Sequence, residues 1–190
     1  MQLEDTLRKI IEEECEDYFF GVADLTPAKK LLAGQEESLI SEYPKAISIG
    51  FTMPPTVQSN LLKNDNSKAN HTDYNELIQR LNIITTRLSN SLQQKGYKSR
   101  SIDVTDKLDD QRIFNAFSHQ LIANLAGLGW IGNDGSLITP EIDSGVLWGT
   151  VLTDAPLKVI EKPLREHNDL NKLKTIYSPM DGGINENISN

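Results

Sequence analysis

A length of 190 residues accommodates one domain with a substantial core. The composition, 38% hydrophobic and 24% charged, is ordinary for a folded chain. The formal charge of -8 argues against a general binder of nucleic acid or of anionic membrane, since both require a positive surface. A single cysteine, Cys15, allows no intrachain disulfide, and these residues alone cannot supply a four-cysteine iron–sulfur site.

Residues 1–11 are charged and amphipathic and do not read as a signal peptide. No apolar run approaches the roughly 20 residues needed to span a bilayer, so a cytoplasmic protein with no membrane partner is expected. Leu3, Leu7, Ile10 and Ile11 recur at helical spacing, and the acidic residues 12–17 form a solvated end or face. A short strand is expected over 18–23. Thr26 and Pro27 then suit a cap and the first position of a helix.

The apolar, partly β-branched run 46–51 predicts a buried strand ended by Met53, Pro54 and Pro55. Residues 56–72, rich in Asn, Ser and Lys, read as a loop with a broken helix. A helix is expected over about 73–95. Asp73 and Glu76 have capping-box spacing, Leu77, Ile78, Leu81, Ile84, Leu88 and Leu92 form the stripe, and Gly96 stops it. A strand over 97–104 and a polar loop over 106–110 follow. Ile113, Phe114, Phe117, Leu121, Ile122 and Leu125 then mark a second helix, stopped by Gly127, with strands over 136–139 and 146–153. Residues 1–157 are read as one α/β domain, a three-layer sandwich with a mixed sheet, and 158–190 as a charged and polar extension, disordered in part.

The densest set of backbone-constrained residues is Gly127, Gly129 and Gly132, which have the spacing of a dinucleotide fingerprint. That fingerprint follows a strand and opens a helix, whereas here a helix comes first and a strand follows. A helix C-cap with a tight turn, or close approach of backbone to a ligand, accounts for the glycines instead.

Several stretches are similar, in order, to the N-terminal domain of epoxyqueuosine reductase-like proteins, relatives of the reductive dehalogenases. They are Gly21 with Val22, Ala23, Asp24 and Leu25; residues 43–50; residues 74–97; the run from Phe117 to Pro140 and Glu141, containing Ala126-Gly127-Leu128-Gly129-Trp130-Ile131-Gly132; and residues 148–157. The resemblance covers most of residues 18–157. It implies a cobalamin- or related corrinoid-binding α/β domain, akin in fold to flavin nitroreductases. In full-length relatives a ferredoxin-like domain with two four-iron clusters feeds electrons to cobalt, and epoxyqueuosine reductase acts on a modified tRNA base.

This chain departs from that pattern at three points. No cysteine follows Leu157; Asn133 stands after Gly-Trp-Ile-Gly where relatives carry lysine; and Ser144, Gly145, Val146 and Leu147 stand where arginine is common. The resemblance therefore implies a stand-alone corrinoid-binding or reductase-like domain, dependent on an external electron-transfer protein and paired as a homodimer. The alternatives are a non-catalytic homodimeric or partner-binding module that has lost the cofactor site, or a flavin-dependent reductase.

Candidate cofactor-binding residues are His119, Gly127, Gly129, Trp130, Gly132, Asn133 and Thr153, with Trp148 a further aromatic able to stack on a macrocycle. A carboxylate beside a buried cofactor can carry a raised pKa and donate a proton. Asp103 and Asp154 are the catalytic candidates, and Asp106, Asp109 and Asp110 read as loop or cap carboxylates. No histidine or cysteine pair has metal-ligand spacing, and an acidic run around Cys15 disfavours a reactive thiolate.

Overall fold

The computed structural model describes residues 2–26, 36–62, 68–104, 119–132, 136–142 and 145–159. Helix α1 (Leu3–Glu12) leads into strand β1 (Phe19–Asp24), and α2 (Glu36–Glu42) into β2 (Lys45–Thr52). Two further helices, α3 (Pro55–Leu62) and α4 (Lys68–Gln94), precede β3 (Ser99–Ile102). The last described helix, α5 (His119–Leu125), is followed by the two-residue strands β4 (Trp130–Ile131) and β5 (Leu137–Ile138) and by β6 (Val146–Thr153).

The main sheet has the order β1-β2-β6-β3. Each of its three pairings is antiparallel, so the parallel component of the expected mixed sheet is not found among the described residues. Every residue of β6 is buried, as a central strand covered on both sides requires.

One face of the sheet carries Val22, Ile47, Ile49, Phe51, Leu147 and Val151. These pack with Leu7 and Ile11 of α1 and with Ile78, Leu81, Ile84, Leu88 and Leu92 of α4 in one apolar core. The apolar stripe predicted for α4 is therefore its buried face. Gly149 lets α4 lie directly on β6: a Cβ there would meet Leu81 Cγ at 2.9 Å and Thr85 Cγ2 at 3.0 Å. Arg87 of α4 ties α1 down through Glu13 and Glu14, the latter at 2.8 Å, so part of the acidic run is an ion-pair partner as well as a solvated face.

Both predicted glycine stops are Schellman ends. At α4, Gly96 (φ 88°) donates to Gln93 and Tyr97 to Leu92; at α5, Gly127 (φ 73°) donates to Asn124 and Leu128 to Ala123. Replacing Gly127 by alanine is expected to lower stability by about 1 kcal/mol, because the left-handed backbone disfavours a Cβ. Denaturant titration checks this.

Two expectations change in the linker before α4. Pro55 opens α3, since proline tolerates the first helical turn, where its missing N–H would have no partner. Helix α4 starts at Lys68, so Asp73 lies inside it and is not its cap. The polar residues 68–72 hid the start because helical periodicity is visible only where apolar residues recur. The helix expected from Pro27, the loop at 106–110, the helical positions Ile113, Phe114 and Phe117, and the extension from 160 onward lie outside the described residues. No described helix is long and apolar enough to cross a membrane.

Candidate functional site

The opposite face of the sheet is built in cross-strand rows. Gly21 of β1 faces Ser48 of β2, Ser48 faces Thr150 of β6, and Thr150 faces Ile102 of β3. The neighbouring row is Phe19, Gly50 and Trp148. Helix α5 lies over the small-residue row. Its first residue, His119, meets Thr150, with Nδ1 2.9 Å from Oγ1. At its other end, a Cβ on Gly21 would stand 3.0 Å from Ala126 Cβ. Seven helical residues span about 10 Å, and three strands span about 9.6 Å. The helix therefore crosses β6, β2 and β1 rather than running along any of them, and Ser48 lies between its two points of contact.

This seam is polar and incompletely bonded. Ser48 and Thr150 are fully buried and His119 nearly so. Among the described residues, Ser48 Oγ, His119 Nε2 and Asn124 Oδ1 are buried without a hydrogen-bond partner. Burial pushes the His119 pKa below its ordinary value, because it disfavours the imidazolium. A hydrogen-bonding interaction with the Asp103 backbone and the charge of its carboxylate pull the other way, by less than burial does.

The glycine turn leaves α5 and feeds β4. Asn124 Nδ2 donates to Gly129 O at 2.9 Å, holding the turn against the helix. Gly129 passes over β5 so closely that an added Cβ would collide with Ile138 O. Close approach is thus the reason for Gly129, and the partner is the chain's own backbone. Gly132 N donates to Ser136 O at 2.8 Å and closes the β4–β5 pair. Of the predicted site residues, His119, Gly127, Gly129, Trp130 and Gly132 fall on α5 or the segment that follows it. Asn133 lies outside the described residues.

The two tryptophans part company. Trp148 is 4% exposed, lies over Gly50, and has its ring 5.6 Å from that of Phe19. It is a core residue, and stacking on a macrocycle is not open to it as it stands. Trp130 is 40% exposed.

Thr153 and Asp154 are held at the far end of β6. Thr153 Oγ1 donates to Lys98 O at 2.9 Å and accepts from Ala155 N at 3.0 Å. Asp154 Oδ1 accepts from Lys98 N at 2.9 Å. Asp103 follows the other end of β3, where its Oδ1 accepts from Asn82 Nδ2 at 3.0 Å. Ser99 pairs with Thr153 and Ile102 with Thr150, so the length of β3 separates the two acids and they do not form one catalytic pair. Asp154→Ala is expected to lower stability by about 1 kcal/mol through the lost Lys98 bond, while Asp154→Asn, which keeps an acceptor oxygen, stays close to the parent. Thermal unfolding of the two variants checks this.

Sequence reasoning missed Ser48, Thr150 and Asn124. The signal for the first two was a hydroxyl inside an otherwise apolar strand; for Asn124 it was an amide just before the glycine turn. Among the described residues no group of three His, Cys, Asp or Glu comes together as a metal site.

No protein-family model and no curated protein matches the chain. Solved structures do. Epoxyqueuosine reductase from Bacillus subtilis matches at 16% identity and TM-score 0.50, over 84% of this chain and 48% of the reductase. The Streptococcus thermophilus epoxyqueuosine reductase matches at 16% identity and TM-score 0.51, over 85% and 48%. The C. elegans B12-trafficking protein CblC aligns at 12% identity and TM-score 0.48, over 93% of this chain and 82% of its own. The chain thus has an α/β fold of the kind found in epoxyqueuosine reductases, and it spans about half the length of the reductase chains it matches.

Proposed function

We propose that this domain binds a corrinoid on the side of the sheet covered by α5 and takes part in a reduction whose electrons come from an iron–sulfur or similar carrier outside residues 1–190. In the same reading, helices on both faces make a three-layer sandwich of the nitroreductase-related type. The likeness to epoxyqueuosine reductases supports the fold. The observation that carries the ligand is Trp130, a flat and exposed indole at the end of a glycine turn, beside a helix with orphan polar atoms at His119 and Asn124.

The residues present fit such a group. A corrinoid is a broad ring with apolar faces and an amide-bearing rim; an indole can stack on the face, and the backbone near Gly127 and Gly132 can approach the rim closely. A bound corrinoid would supply redox chemistry at its cobalt. His119 would be present as the neutral imidazole, able to donate or accept one hydrogen bond but contributing no charge. Thr153 and Asp154, each already bonded to the Lys98 backbone, would serve by keeping β3 and β6 in register.

The test is an anaerobic titration of the purified chain with cobalamin in each cobalt oxidation state, followed by absorption spectroscopy and calorimetry. Saturable binding with a changed cobalt spectrum is the expected result. Replacing Trp130 by alanine is expected to weaken binding at least tenfold, equivalent to about 1.4 kcal/mol, with unchanged stability. Absence of binding in every state would overturn the proposal and leave a partner-binding module; a flavin spectrum in the purified protein would replace corrinoid with flavin. Sedimentation with and without cobalamin tests the homodimer.

A further inference from the structure

We infer that Asn82 of α4 is a positioning residue for His119, which lies on the opposite face of the sheet. The side-chain amide of Asn82 holds two consecutive residues where the chain leaves β3, and these set the surroundings of the imidazole. His119 is one of the polar groups offered to the corrinoid, so position 82 would tune that site from behind the sheet. That consequence rests on the corrinoid reading; the link from Asn82 to His119 does not.

Asn82 uses both ends of its amide. Its Nδ2 donates to Asp103 Oδ1 at 3.0 Å, and its Oδ1 accepts from Val104 N at 2.9 Å. A donor and an acceptor on one planar group fix both the position and the orientation of what they hold. The asparagine is itself anchored. Thr85 Oγ1 donates to its carbonyl at 3.1 Å, and Leu81 and Thr85, on either side of it, lie against Gly149 of β6.

From β3 the tie crosses to the other face. Strand β3 is four residues long and, among the described residues, pairs with β6 alone. The end of so short an edge strand opens easily unless side chains hold it. Ile102, its last residue, packs with Ile122 of α5 and pairs with Thr150, whose Oγ1 lies 2.9 Å from His119 Nδ1. Asp103 comes next, and alternation along the strand turns its side chain to the α4 side, where Asn82 meets it. From there its main chain and carboxylate both act on the imidazole and favour the charged form. Thr150 does not titrate in the range of the imidazole, Asn82 carries no charge, and Asp103 is the charged group among the described residues that acts on the ring. Val104 then packs on the α1 and α4 core. Asn82 thus sets how Asp103 stands toward His119.

The test is imidazole NMR on the intact, cofactor-free chain, with His119 assigned by its loss in His119→Phe. In Asn82→Ala the His119 titration midpoint is expected to move to lower pH, because both influences of Asp103 weaken, and its ring nitrogen resonances to move at neutral pH. Alanine favours a helix more than asparagine does, so the variant spares α4 itself. An unmoved midpoint and unmoved resonances in the folded variant overturn the inference, whatever the variant loses in stability. A second measurement needs no variant. In the folded parent, the Val104 amide is expected to exchange far more slowly than in an unfolded chain; unprotected exchange there overturns the inference. Neither readout involves a cofactor, so a chain that binds no corrinoid can still pass both.

Discussion

Gly129→Ala is expected to destabilise the protein by about 3 kcal/mol, at the upper end of ordinary overpacking. The new methyl would collide with Ile138 O and stand 3.1 Å from its carbonyl carbon and 3.2 Å from Leu137 Cγ. The first two are backbone atoms and cannot rotate away. Nor can the turn retreat: Gly129 O holds Asn124 Nδ2, and Trp130 and Ile131 pair with Ile138 and Leu137. Relief therefore requires β4 and β5 to separate. Denaturant titration reads the loss, and faster amide exchange at Ile131 and Ile138 would localise it. Parent-like stability and exchange would mean that Gly129 was not placed there by steric need. Because Trp130 is the next residue, the same variant should also bind cobalamin more weakly than the parent.

Acidification is expected to destabilise the protein through His119. Its pKa is lower in the folded state than the ordinary value of about 6.5, so the unfolded chain binds the extra proton first. The stabilisation is therefore complete above about pH 6.5 and is lost as pH falls from there toward the folded pKa, with a slope approaching 1.4 kcal/mol per pH unit for one proton. Thr150 meets the imidazole and does not titrate in this range, and the Asp103 backbone and carboxylate favour the charged form by less than burial disfavours it. Stability measured between pH 7.5 and 5 should fall for the parent, while His119→Phe should follow a flatter line. Equal slopes in the two proteins would show that His119 is not the group responsible.

How much of this could be read from the residues alone depended on whether the cause was local. The stripe from Ile78 to Leu92 and the glycines at 96 and 127 announce themselves, because helical spacing and a left-handed stop are properties of neighbouring positions. The reversed order of the glycine motif was legible for the same reason, and it correctly separated this turn from a dinucleotide fold. Antiparallel pairing of β2 with β6 was not legible, since register between distant strands is set by packing that no short window contains. Nor could the sequence tell Trp130 from Trp148: only the row containing Phe19 and Gly50 shows why one ring is buried. The bonds of Thr153 and Asp154 to the Lys98 backbone were not legible either, because β3 brings that backbone beside them. The seam itself, with Ser48 beneath α5, needed three segments brought together from separate parts of the chain.

The pairing of β2 with β6 also carries a kinetic consequence. β1 and β2 can pair earlier, since residues 25–44 alone separate them, but Lys45 must find Thr153 and Thr52 must find Val146 across residues 53–145. Closing so long a loop is slow, and the reward comes only once β6 is seated. Until then β2 has an open, apolar edge, with Ile47, Ile49 and Phe51 lacking the neighbours that will cover them. Refolding should therefore be limited by docking of the last central strand, and the species most prone to aggregate should be a chain in which β1 and β2 have paired while β6 is still free.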